Sequence, residues 1–403
     1  MRRLSVALVT VMLLFSQVSG QNRSISDAEV ERVHRSTLLI DTHNDVPSRT
    51  VEGFDIGSHT GTGHTDIARL KEGGVGAQFF AVYVAASYVT GNHSANRTLQ
   101  MIDTVRHDII ERYPNDFMLA TSAKDIDEAH RRGKIAALMG IEGGHAIEDS
   151  LRLLRDYYDL GIRYMTLTHS NTNNWADSSG DVDDPKVKHH NGLTDFGKQV
   201  VLEMNRLGMM VDISHVADKT FWDALSVSKA PIFASHSSCR ALTNHARNMT
   251  DEMIVALAKK GGVVQVNFYC GFISQKFRDN DAADTRALDA RMAKETVGKT
   301  LSEPDRQILS EKLRKEMGLS RATLADVVDH IDHIRKIAGI DAIGLGGDFD
   351  GVSCTPVGLE DVSKYPNLTR VLLEKGYSAD DIRKIYGGNF LRVMRAVEAA
   401  AGK

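Results

Sequence analysis

The chain has 403 residues, 42% hydrophobic and 25% charged, which excludes disorder over most of its length and is ample for one large barrel core or two smaller ones. A formal net charge of −4 without a basic block excludes a nucleic-acid footprint, so small or peptidic substrates fit better. Three cysteines, Cys239, Cys270 and Cys354, exclude a disulfide framework while leaving room for one bridge.

In chain order, the first element is "MRRLSVALVTVMLLFSQVSG": Arg2 and Arg3, an uncharged apolar run over residues 4–15, then Val18, Ser19 and Gly20. The pattern predicts a secretory signal peptide over residues 1–20 and export to a periplasmic or extracellular location; the run is too short for an ordinary membrane span. No later segment reads as a span, and "VMRAVEAAAGK" lacks the apolar tail of a lipid anchor, so a soluble protein with neither span nor anchor is expected.

"SDAE" at residues 26–29 predicts a capped first helix. Strands are then expected at about 38–45, 76–84, 135–142, 163–169, 209–215, 231–237, 262–269 and 342–348, with helical spacing between them. Eight strands alternating with helices predict a (β/α)8 TIM-type barrel filling residues 21–403 as a single domain. The charged stretch 273–325 lengthens the connection after the seventh strand as a helical insertion; it reads as a lid, a dimerising appendage or a solvated excursion, and a homodimer is compatible with it.

The strand ends carry the chemistry. In "LLIDTHNDVP", His43 and Asp45 lie two apart at the end of an extended run and point to one side. Glu142 ends the third strand, His169 the fourth, His215 the fifth, His236 the sixth and Asp348 the eighth. Singly, each has a plain alternative: Asp45 suits a turn before Pro47, Glu142 a helix cap, and Asp348 a glycine-rich turn in which Asp350 competes for any role. Jointly, such residues at six of eight strand ends point to a common site, because this fold gathers those ends around one mouth. Imidazoles and carboxylates together suit Zn²⁺, and three His, one Asp and one Glu suit two ions sharing a carboxylate better than one catalytic ion. Trp175 is read either as pocket lining or as packing beneath its loop, and His145 as exposed or locally hydrogen-bonded.

At this point "IDTHND", "GIEGGH", "RYMTLTHSNTNNWAD", "VDISH", "FASHSS", "HARNM" and "GLGGDFDGV" resemble, in order from about residue 30 onward, the membrane dipeptidase (renal dipeptidase) family of zinc peptidases. The resemblance implies a binuclear centre, two Zn²⁺ per chain, with His43, Asp45 and Glu142 on one ion, Glu142, His215 and His236 on the other, and Glu142 bridging. It implies hydrolysis of free dipeptides by a bridging hydroxide, His169 as a catalytic substrate contact, Arg247 for the substrate carboxylate and Asp348 as the acid/base that also contacts substrate. A related binuclear hydrolase acting on a β-lactam or other peptide-derived amide is the runner-up, and an inactive binding barrel the third reading. Cys239 and Cys270 follow the sixth and seventh strands at the same barrel end, which leaves a bridge between them open.

Overall fold

The structure, a computed structural model, describes residues 24–301 and 303–402. The signal-peptide expectation for residues 1–20 lies outside the described residues. The strands are β1 (Leu39–Asn44), β2 (Val75–Tyr83), β3 (Phe117–Leu119), β4 (Ile135–Glu142), β5 (Ile162–Thr166), β6 (Met210–Asp212), β7 (Phe233–Ser237), β8 (Val263–Val266) and β9 (Ile343–Leu345). All pairings are parallel, and because β2 pairs with both β1 and β4 while β9 pairs with β1, eight strands close into the expected (β/α)8 barrel.

The ninth strand was not expected. Pairing of β4 with β5 begins at Met139, so the first residues of β4 have an open edge, and Phe117–Leu119 occupies it against Ile135–Ala137. Three residues are too few to show a period in sequence.

Parallel strands between helices are buried on both faces, and here the two faces belong to two cores. Along the strands Ile40, Phe79, Leu138, Tyr164, Met210, Phe233 and Val263 belong to an inner cluster, while Leu39, Phe80, Met139, Met165, Val211, Ala234 and Val264 pack outward under the helices. The inner cluster is closed by Phe390 of the last helix, Asn389–Ala400, whose ring lies 5.3 Å from Phe79 and 6.0 Å from Phe233. Tyr164 completes this layer, 5.1 Å from Phe79 and 5.5 Å from Phe233. Its ring fits because position 140 is glycine: a Cβ there would stand 2.0 Å from Tyr164 Cζ.

After β8 the chain runs through helices Gln275–Glu295 and Glu303–Glu316, which share a small core of Leu288, Met292 and Leu313. They meet the rest of the molecule through Phe277, with Arg314 5.1 Å above its ring, and through Glu311, 3.1 Å from His64 Nε2. A disulfide joins Cys270 to Cys354, tying the segment after β8 to the loop after β9, and Cys239 is free and buried. The bridge left open between Cys239 and Cys270 is therefore not the one formed: Cys239 instead donates its backbone N–H to His330 Nδ1 at 2.9 Å, inside the wall.

Candidate metal centre and cleft

The strand ends are held together past the last ladder bonds. Asp45 N–H donates to Phe349 O at 2.8 Å and Asp348 N–H to His43 O at 3.1 Å, so the segment after β9 runs alongside the end of β1. Beneath it, Asp41 accepts from Gly347 N–H, His43 N–H and the Tyr365 hydroxyl. His215 and Asp348 both adopt left-handed backbone, at φ 68° and 60°. Non-glycine residues rarely take this conformation, and here it marks two residues of the cluster.

The result is one constellation. Glu142 Oε1 lies 2.8 Å from His215 Nε2, 3.2 Å from His236 Nε2, 3.6 Å from His43 Nε2 and 3.9 Å from His169 Nε2. His43 Nε2 is also 3.3 Å from Asp45 Oδ2, and the His215 and His236 Nε2 atoms are 3.0 Å apart. Donor atoms of His43, Asp45 and Glu142 fall within 4.8 Å of one another, as do those of His43, His236 and Asp348 and those of Glu142, His169 and His215. The seven strand-end residues singled out by sequence thus converge on Glu142.

Two features test whether these atoms suit a cation. First, the outward nitrogens are already engaged. The Tyr164 hydroxyl donates to Thr42 O at 3.1 Å, so it accepts from His43 Nδ1 at 2.8 Å. Ser235 Oγ donates to Asp212 at 2.6 Å, so it accepts from His236 Nδ1 at 2.7 Å. With the protons on Nδ1, both Nε2 lone pairs face the cluster, the arrangement found for imidazole metal ligands. Second, His43 Nε2 is buried without a hydrogen-bond partner, a costly state unless a cation completes it. The residues fit a metal.

Electrostatics agree. Burial works against the charge of His43, but Tyr164, Glu142 and Asp45 outweigh it and hold that imidazole well above its usual range, so a proton and a metal cation compete for the Nε2 lone pair beside these acidic groups. Burial and the Arg247 charge hold His215 well below its usual range; burial, with His43 and Arg247, does the same for His236. Burial opposes the Glu142 carboxylate, yet the imidazoles around it, His43 and His169 first and His215 and His236 beside them, keep its pKa low. Asp348 is different: burial, joined by Asp45 and Glu142, pushes it up to about 8 against the opposing charge of His43, and Asn267 Nδ2 donates to its Oδ2 at 2.8 Å.

Above the cluster lies a cleft of about 830 Å³, lined by Asp45, Glu142, His169, His215 and Asp348 at its base and by Tyr83, Arg49, Glu52, Arg97, Tyr269 and Phe272 higher up. Arg247 is near but does not line it. Its Nη1 and Nη2 donate to Ser237 Oγ and His236 O, its Nε is buried without a partner, and its Cζ lies 5.4 Å from the Phe272 ring. Trp175 is fully buried against Phe196, so packing is its role, and His145 is buried with Nε2 on Val84 O rather than exposed.

Sequence reasoning missed the supporting groups Asp41, Asp212 and Tyr164 and the cleft residues Tyr83, Glu52 and Arg97. The first two had a signal: an aspartate inside an apolar strand run, two residues before His43 in "DTH" and three before His215 in "DISH". Tyr164 looked like any buried strand aromatic.

Comparison with known proteins now bears on the site. The family described as membrane dipeptidase (peptidase family M19) matches residues 27–403. The probable dipeptidase PvdM from Pseudomonas aeruginosa is similar at 26% identity and a TM-score of 0.77, over 93% of this chain and 98% of that one. A metallopeptidase described as dipeptidase AC of family M19 is similar at 26% identity and a TM-score of 0.73, over 91% and 100%. A metallopeptidase from Rhodobacter sphaeroides, liganded with a phosphinate mimic of the dipeptide L-Ala-D-Ala, is similar at 25% identity and a TM-score of 0.71, over 90% and 99%.

Proposed function

The chain belongs to the membrane dipeptidase family, and from that premise we propose that it is a zinc dipeptidase that hydrolyses the peptide bond of free dipeptides. The observation that carries the reading is the gathering of His43, His215 and His236 Nε2 around Glu142 Oε1, between 2.8 and 3.6 Å away. His43, Asp45 and Glu142 would hold one ion and Glu142, His215 and His236 the other. When bound, such a pair supplies an acidified water as nucleophile and an electrophilic pull on the scissile carbonyl.

The rest of the chemistry falls to the chain's own groups. Asp348, held by Asn267 Nδ2 at 2.8 Å and with its carboxylate within 4.8 Å of His43 and His236 nitrogens, is placed to exchange protons with groups at the centre. It takes the nucleophile's proton and returns it to the leaving amine. Burial lowers the His169 pKa, and its ring is fixed by Tyr83 on one side, 4.8 Å away, and His215 on the other, 4.4 Å away. From there it donates to the developing oxyanion. Arg247 supplies the positive charge for the substrate's terminal carboxylate, with Nε as the donor left over, since Nη1 and Nη2 hold Ser237 Oγ and the His236 carbonyl. The Phe272 ring, 5.4 Å from its Cζ, lies between that arginine and the solvent of the cleft.

The same reading places the enzyme outside the cytoplasm, supported by the pattern of residues 1–20 and by the Cys270–Cys354 bridge, which persists in oxidising compartments. The test is a panel of dipeptides in both configurations at each position, run beside a β-lactam and paired with elemental analysis. Dipeptide cleavage with two zinc ions per chain is expected; cleavage of the β-lactam alone would move the assignment to the runner-up.

A further inference from the structure

Three arginines stand at or behind the cleft, and two of them are engaged. Arg49 Nη1 donates to Asp350 at 3.2 Å, Nη2 to Thr62 Oγ1 at 3.3 Å, and Cζ lies 3.8 Å from the Phe54 ring. Arg247 donates to Ser237 and the His236 carbonyl. Arg97 is the third, on the helix Ser94–Asp103 that follows β2.

Its side chain is only 14% exposed, yet its contacts are long: Nη1 donates to Gln100 Oε1 at 3.5 Å and Nη2 is 3.7 Å from Glu52 Oε1. Glu52 is 64% exposed, so that pair is loose and screened by solvent. The Tyr88 ring, 5.5 Å from Cζ, lies against the guanidinium and helps fix its place. Helix stability does not account for the residue. Arg97 is the fourth residue of its helix, where a cation opposes the helix dipole. What remains is a planar, five-donor group facing an 830 Å³ cleft without a well-placed carboxylate.

We infer that Arg97 is a specificity-determining residue that selects dipeptides bearing a carboxylate side chain, aspartyl or glutamyl. The inference rests on the dipeptidase reading above and deepens it. A side-chain carboxylate displaces the loosely held Glu52 and pairs with both Nη groups, which its neutral amide counterpart cannot do. The substrate's own terminal carboxylate has the same chemistry, so the experiment separates the two.

On the zinc-loaded full chain, kcat/KM is measured for Ala-Glu against Ala-Gln and for Glu-Ala against Gln-Ala, with Ala-Ala as reference. In one of the two pairs the acid is expected to be preferred at least about tenfold, chiefly through KM. Arg97→Gln brings that ratio toward one, Arg97→Lys keeps part of it, and Glu52→Gln, which removes the internal competitor, raises it. A wild-type ratio near one in both pairs overturns the proposal. So does a ratio that survives Arg97→Gln, or an Arg97→Gln variant that loses Ala-Ala and the acidic dipeptides equally, which would put the terminal carboxylate on Arg97. If Arg97→Gln does not fold, Glu52→Gln decides: a raised ratio supports the proposal and an unchanged one overturns it. Failure to cleave any of the five dipeptides defeats the dipeptidase reading and this inference with it; cleavage with no acidic preference defeats the inference alone.

Discussion

Glu142 is the residue on which the proposed centre turns, because a single oxygen stands within 3.6 Å of three imidazole nitrogens. Glu142→Gln keeps the shape and removes the charge. Zinc content and dipeptide turnover are expected to fall together, turnover by more than the roughly 10–100-fold that losing an outer partner of a ligand costs. Wild-type zinc stoichiometry in this variant, read by elemental analysis, would defeat the shared-ligand assignment. Behind the cleft wall, His330 offers a test of linkage. Its Nδ1 accepts from Cys239 N–H and its Nε2 donates to Ile273 O, so the neutral ring joins three segments, and burial pushes its pKa down to about 4. Between pH 6.5 and 4 the unfolded chain takes up a proton that the folded one refuses, so stability is lost as pH falls through this window, by about 3 kcal/mol for this group. Urea unfolding at pH 7 and 4.5 should show His330→Asn less stable than wild type at the higher pH and less sensitive to the change; an identical pH dependence would contradict the burial argument.

Among the elements, the two segments that follow β8 and β9 decide the shape of the cleft wall. Tyr269 and Ser353 both line the cleft, and each is the immediate neighbour of a bridged cysteine. The bridge closes a sequence separation of 84 residues. In the chain-entropy view a loop of that length stabilises the fold by about 4.5 kcal/mol. The double variant Cys270→Ser/Cys354→Ser should lower the urea midpoint accordingly and raise KM, since the wall loses its tie; an unchanged midpoint under reducing and oxidising conditions would show that the bridge does not form. Sequence spacing could not choose the partner of Cys270, because Cys354 and Cys239 both follow barrel strands and only the course of the loops separates them. Helices Gln275–Glu295 and Glu303–Glu316 bear on the same wall through Phe277, whose ring lies 6.4 Å from that of Tyr269.

At the scale of the whole molecule, the barrel holds donor atoms that its own hydrogen bonds leave incomplete, with His43 Nε2 the clearest case. Ligand binding to the folded state alone raises stability, by about 2.7 kcal/mol at a hundredfold excess over Kd. Chelator-treated protein should therefore melt below the zinc-restored protein, and equal melting temperatures would mean that the cluster holds no ion. The eight barrel strands, the order of the helices between them and the polar strand ends were legible in sequence, because period and composition are local properties that survive without a partner. The short β3, the Cys270–Cys354 pairing, the burial of His145 and Trp175, and the position of Arg247 behind Phe272 were not. Each depends on which surfaces are already covered when the barrel closes. The sequence by itself determined which residues could carry metal and proton chemistry; tertiary structure alone decided that Asp41, Asp212 and Tyr164 would hold them in place and that Arg97 would face the cleft with only long contacts to Gln100 and Glu52. The reason is that residue type sets what a group can bind, whereas distances between groups hundreds of residues apart are set only by closure of the sheet.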